Sequence, residues 1–137
     1  MAYSGFYAKF YGFSQKTASV MAGIWRFRPS RFYVLAIAAL QAMAWWQAAS
    51  IFRGLTGNLL VLHYNVDFGI DLVGDPSQIF RFPLYGLAIF LLNFILVAAL
   101  SGHKDWRIFA HLLFSAALIF ALFLNLALLF IYLINFK

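Results

Sequence analysis

Three histidines, His63, His103 and His111, and four aspartates, Asp67, Asp71, Asp75 and Asp105, are the side chains of this sequence best placed to move a proton or hold a metal. Cysteine and glutamate are absent. Without cysteine there is no disulfide, thiolate nucleophile, cysteine-ligated zinc or iron–sulfur cluster. Asp67, Asp71 and Asp75 recur every fourth residue just after His63 and Asn65, an oxygen-rich set that a hard cation could use. The spacing fits neither an EF-hand loop nor a zinc motif, and Gly69, Gly74 and Pro76 interrupt the helix that would align the carboxylates. Solvated loop charges and a helix cap at Asp75 account for all three, so no metal is expected.

His111 alone of the histidines falls within a long apolar block, where it is the one candidate to contact a pigment or haem. A second axial ligand at matching depth is missing, and a polar residue near a membrane boundary is the simpler assignment. No cofactor is therefore expected. There is no Gly-x-Ser-x-Gly elbow, no His-Glu-x-x-His and no glycine-rich phosphate loop, which points away from catalysis.

The elements that position these residues are dominated by apolar sequence. Of the 137 residues 65% are hydrophobic and 10% charged, with a mean hydropathy of +0.87, against about 45–50% apolar and about 25% charged in soluble domains. Three uncharged blocks, 32–52, 83–100 and 108–136, are long enough to cross a hydrocarbon core, which needs roughly 20 residues, and the third exceeds it, so that tilt or protrusion must absorb the excess. The fold expected is an all-α membrane protein with three transmembrane helices. Ser30 is expected to cap the first, Asp75 with Pro76 and Gln78 to start a short turn leading into the second, and Asp105 to cap the third. The first block is too long and begins too late for a cleaved signal peptide.

Residues 1–31 form an arm of their own. Tyr3, Phe6, Tyr7, Phe10 and Tyr11 recur at helical spacing, with Lys9 and Lys16 available to anionic headgroups, which predicts an amphipathic helix lying in the membrane interface. The same aromatic residues could dock a protein partner. Between the first two blocks, residues 53–82 are too long for a bare connection, and 61–65 and 70–73 are strand-like around a turn, consistent with a small extracytoplasmic β-hairpin. Residues 101–107 form a short turn.

Seven of the ten lysines and arginines lie before the first block or in the 101–107 turn; Arg53, Arg81 and Lys137 lie on the other side. The positive-inside rule then puts the N-terminus in the cytoplasm and the C-terminus outside a cell inner membrane. The basic residues flank apolar blocks instead of forming a stripe, so the net charge of +6 implies no nucleic-acid partner.

Inside the blocks the polar residues are Gln41, Gln47, Asn93 and Asn125, all uncharged. They suit interhelical hydrogen bonds better than an ion relay, and equal depth predicts an Asn93–Asn125 pair. Ala38 with Ala42, Ala44 with Ala48 and Ala117 with Ala121 allow close helix approach.

His63-Tyr64-Asn65, followed by Gly69, Gly74 and the helix led by Pro83, resembles a family of small bacterial membrane proteins in which a Pro-x-His-Tyr/Phe-Asn turn precedes a Pro-led spanning helix. Leu62 stands near the place of that family's proline. The resemblance covers roughly residues 60–100 and implies a helical membrane protein of no established activity. The expectation is a non-catalytic membrane subunit or accessory protein whose partners are the bilayer and other membrane subunits or copies of itself. A small oligomeric transporter or channel lined by Gln41, Asn93 and Asn125, and a pigment-holding subunit of an electron-transfer or photosynthetic complex, are the alternatives.

Overall fold

The computed structural model describes residues 2–57, 59–67 and 69–136, without the side chains of residues 2–6, 8, 9 and 13. Helix α1 spans Ala2–Arg26 and α2 spans Arg28–Gly54. Strands β1 (Leu60–Asn65) and β2 (Gly69–Gly74) pair antiparallel. A 3-10 turn, Pro76–Phe80, leads into α3 (Arg81–Ala99), and α4 spans Trp106–Phe136. Three helical segments, Arg28–Gly54, Pro76–Gly102 and Trp106–Phe136, are long and apolar enough to cross a membrane.

Proline sets the first boundary. Pro29 has no N–H to give the carbonyl of Trp25, four residues back, and its ring would clash with it. The chain breaks at Phe27 (φ −77°, ψ 103°), and the Arg31 guanidinium Nε donates to the Trp25 carbonyl instead. The first of the three apolar helices consequently starts at Arg28, four residues before the expected 32. Ser30 is not the cap: it lies inside the first turn, 1% exposed, with its hydroxyl unpartnered among the described residues. Asp75 does cap its turn, accepting from the Ser77 N–H at 2.8 Å. Pro83 falls at the third position of α3, where a missing N–H leaves no helical bond unmade.

The Ser77 hydroxyl, then its backbone N–H, hold the Asp75 carboxyl below the ordinary carboxylate range. A depressed folded pKa adds stability that is fully present above the unfolded value, near pH 4, and is lost as pH falls through the lower folded value. We expect Asp75→Asn to abolish that acid-limb dependence. Its check is the protection of the Ser77 amide, taken as its exchange rate relative to the intrinsic rate at each pH from 6 to 3, which should fall toward pH 3 in the wild type and stay level in the variant.

The helices pack through a narrow seam. On α4 the buried residues Ala110, Phe114, Ala117, Ala121, Leu124, Leu128 and Ile131 alternate in steps of three and four. They face Ile37, Ala44, Ala48 and Ile51 of α2. Ala44, Ala48, Ala117 and Ala121 are at this seam, but Ala38 and Ala42 are exposed, because the inward stripe of α2 runs through Ile37, Ala44, Ala48 and Ile51. At one end a core of Ala44, Ala48, Ile51, Leu60, Ile79, Leu124, Leu128 and Ile131 ties the hairpin to the bundle. At the other, Ile24 of α1 joins Val97, Ala110 and Phe114. The second half of α1 is thus docked by aliphatic residues, while Tyr7, Phe10 and Tyr11 of the aromatic stripe are 66%, 63% and 66% exposed. The side chains of Tyr3, Phe6 and Lys9 lie outside the described set.

Candidate functional site

The hairpin end of the bundle carries the most elaborate polar construction. The Asn65 side-chain oxygen accepts from the Asp67 N–H at 2.8 Å, shaping the turn, and Gly69 closes it at φ +77°, a backbone region that a Cβ disfavours. Two irregularities in the register, at Leu62 in β1 and Asp71 in β2, re-aim the neighbouring side chains. One consequence is a contact of 2.7 Å between His63 Nδ1 and Asp71 Oδ1. The pair is exposed (62% and 39%), so it fixes the imidazole's orientation more than it stabilises the strand pair.

The residue that anchors the hairpin was absent from the sequence-derived candidates. Asn135, in the last turn of α4, accepts from the Val61 N–H at 3.0 Å and donates to the Val61 carbonyl at 2.8 Å, imitating a neighbouring strand. Its second amide hydrogen goes to the Ile131 carbonyl at 2.8 Å. The available signal is an asparagine near the end of the apolar stretch 126–136, an expensive place for an amide unless it has partners.

Between hairpin and helices lies a cleft of about 810 Å³. Leu62, Tyr64 and Leu72 line it from the hairpin, Phe82 and Tyr85 from α3, Phe130 and Ile134 from α4; His63, Gln78 and Arg81 are its other polar groups. A mostly apolar wall with a few polar groups suits an amphiphilic molecule. His63 oriented by Asp71 is part of a general-base arrangement, but no serine, threonine or cysteine lines the cleft among the described residues. The aspartates do not converge: Asp67 sits at the turn, Asp71 meets His63, Asp75 caps Ser77, and no group of three His or Asp residues able to hold a metal occurs among the described residues.

Within the bundle, the amides expected to meet do not. The Asn93 Nδ2 donates to the Ile89 carbonyl of its own helix at 2.8 Å. Asn125 donates to Leu40 on α2 at 3.1 Å and to Ala121 at 2.8 Å, and accepts from Gln47 Nε2 at 3.3 Å. Equal depth did not make a pair, because Asn125 is turned toward α2. Gln41 Nε2 donates to the Pro83 carbonyl, which links α2 to α3 where Gly86 gives the amide room; a Cβ there would stand 2.6 Å from Gln41 Oε1. Within the one chain Gln41, Asn93 and Asn125 each bond a different backbone carbonyl and none bonds another of the three.

His111 belongs to a third cluster. Its Nδ1 lies 3.3 Å from the Tyr33 hydroxyl, which accepts from Ser115 at 2.9 Å, and Phe27 and Tyr33 set ring edges against the imidazole. The arrangement ties α2 to α4.

Comparison of the chain with protein-family models, with curated proteins and with solved structures finds no match.

Proposed function

We propose that this chain is a non-catalytic, three-span membrane subunit that packs against helices of a partner or of a second copy. Asn93 carries the reading. It is half-buried near the middle of α3, its amide makes only the local bond to Ile89 among the described residues, and Leu92, Ile95 and Leu96 around it are exposed. In hydrocarbon an amide with an unused carbonyl and N–H gains about 0.6–2 kcal/mol from a partner on another helix. The amides Gln41, Gln47 and Asn125, away from the helix ends, bond inside the bundle, which supports packing over a lumen. The exposed Ala38 and Ala42 face of α2 and the aromatic residues of α1 suit the same role, with α1 lying in the interface. In this reading the arginine-bearing end is cytoplasmic and the hairpin extracytoplasmic, in line with seven of ten basic residues at that end. The resemblance of the His63-Tyr64-Asn65 turn to small bacterial membrane proteins agrees with it.

Native mass measurement in mild detergent tests the proposal. The expected result is a discrete species larger than the 15.6 kDa chain, with Asn93→Leu weakening association about tenfold. A wild-type protein that is a stable, partner-free monomer would count decisively against it.

The cleft of about 810 Å³ beneath the hairpin supports a second reading, a protein that holds a lipophilic or pigment-like molecule. An absorption spectrum and an organic extract of the purified protein separate the two. Only protein absorbance and bulk lipid would end this version.

A further inference from the structure

The break between α1 and α2 gathers positive charge that forms no ion pair with a carboxylate among the described residues. Arg26, Arg28 and Arg107 line a single cleft of about 340 Å³ together with Phe27 and Trp106. The ion pairs among the described residues are His63–Asp71 and His103–Asp105, so none of these arginines is matched by a carboxylate. Asp105, two residues before Arg107 in the sequence, has its carboxylate 3.9 Å from His103 Nδ1. The Arg107 guanidinium is held 5.8 Å above the Phe27 ring, which is itself packed edge-on against Trp106 at 5.4 Å. Helix α2 opens at the same place with no side-chain cap and no acid in its first turn, adding the positive end of its dipole.

A second, apolar groove adjoins this cleft. It measures about 440 Å³, shares Arg28 and Pro29 with the first, and continues past Phe32, Tyr33 and Ala36 to Leu118. Charge at one end and an apolar channel leading away from it match an amphiphile with an anionic head better than a free anion, which would use only the cleft.

We propose that the α1–α2 break is a binding site for an anionic phospholipid, its phosphate among Arg26, Arg28 and Arg107 and an acyl chain along the Pro29–Ala36 groove. Guanidinium groups suit this task because their fork of N–H donors matches phosphate oxygens pairwise. The inference rests on the reading that α2 and α4 cross the bilayer, which brings this end to headgroup level.

The full chain in mild detergent, titrated with phosphatidylglycerol and with phosphatidylcholine of the same acyl composition, tests it by native mass spectrometry. We expect phosphatidylglycerol to be retained about tenfold over phosphatidylcholine, an excess that falls to parity in Arg28→Gln/Arg107→Gln. The excess should survive in Arg28→Lys/Arg107→Lys at reduced size, and in Arg53→Gln at the opposite end unchanged. Ala36→Trp, which fills the groove, should lower phosphatidylglycerol retention while the arginines remain. Parity in the wild type, or wild-type preference in the double Gln variant with its helicity intact, would overturn the site. Inorganic phosphate displacing the lipid together with an unaltered Ala36→Trp would overturn the phospholipid in favour of a small-anion site. Alkaline extraction of membranes separates the two levels: release of the protein defeats the spanning reading itself, whereas retention with lipid parity defeats the lipid site alone.

Discussion

Replacing Asn135 by alanine is expected to free the hairpin from the bundle while leaving the three long helices intact. The side chain supplies both partners of the Val61 peptide, at 3.0 and 2.8 Å, and alanine supplies neither. A partly buried N–H and C=O left unpaired cost about 2 kcal/mol together, after allowing for some solvation. That corresponds to roughly a thirtyfold rise in the open hairpin population. Hydrogen exchange of the amides in β1 and β2 should accelerate by that factor, with those of α2 and α4 unchanged. Asn135→Asp keeps an acceptor for the Val61 N–H and loses both donors, so an intermediate rate is expected. Exchange in the hairpin that is indifferent to both changes would show that Leu60 and Ile79 hold it without the amide.

Phe114→Ala is expected to have the largest effect of any single truncation. The ring is fully buried, stacks on Tyr33 at 6.1 Å and meets Phe94 at 6.2 Å. It joins α2, α3 and α4 at one level, with Ile24 of α1 in the same cluster. Loss of a buried aromatic side chain costs about 3–5 kcal/mol, and the cavity part of that cost persists in lipid, where the gain from leaving water is small. Thermal unfolding in detergent should fall by many degrees, and α1 should become protease-sensitive at temperatures the wild type withstands. Phe114→Leu should recover most of the loss; equal stability of Phe114→Ala and wild type would mean that the arginine end is held from elsewhere.

The three long helices and the hairpin were legible because each rests on a signal local to the chain. Uncharged length marks the helices, the strand-like runs 61–65 and 70–73 on either side of a turn mark the strands, and Asp75-Pro76 marks a helix start that Ser77 completes. What stayed hidden was rotation about the helix axes. A helix that is apolar on every side carries no stripe to say which face is inward. So in sequence Ala38 with Ala42 looks like Ala44 with Ala48, and depth alone pairs Asn93 with Asn125, although one bonds its own helix and the other α2. Ser30 was a different case: its type fits a cap, but Pro29 tolerates only the first helical positions, which pushes the start back to Arg28 and the serine into the core. The arginine cleft is hidden for a third reason, since Arg107 is distant in sequence from Arg26 and Arg28 and joins them only once α4 has packed on α2.

The Asn135–Val61 clamp also fixes an order of events during synthesis. The hairpin, complete in sequence at Gly74, cannot acquire its anchor until Asn135 has emerged and α4 has been placed beside α2. At about 5–20 residues per second the intervening stretch takes roughly 3–12 s to translate. Two-stranded ribbons are marginal by themselves, so through that interval β1 and β2 present Tyr64, Ile70 and Leu72 and unpaired strand edges to whatever is near. A chaperone or partner subunit acting on this protein would find its opening then, and the last turn of α4 ends it.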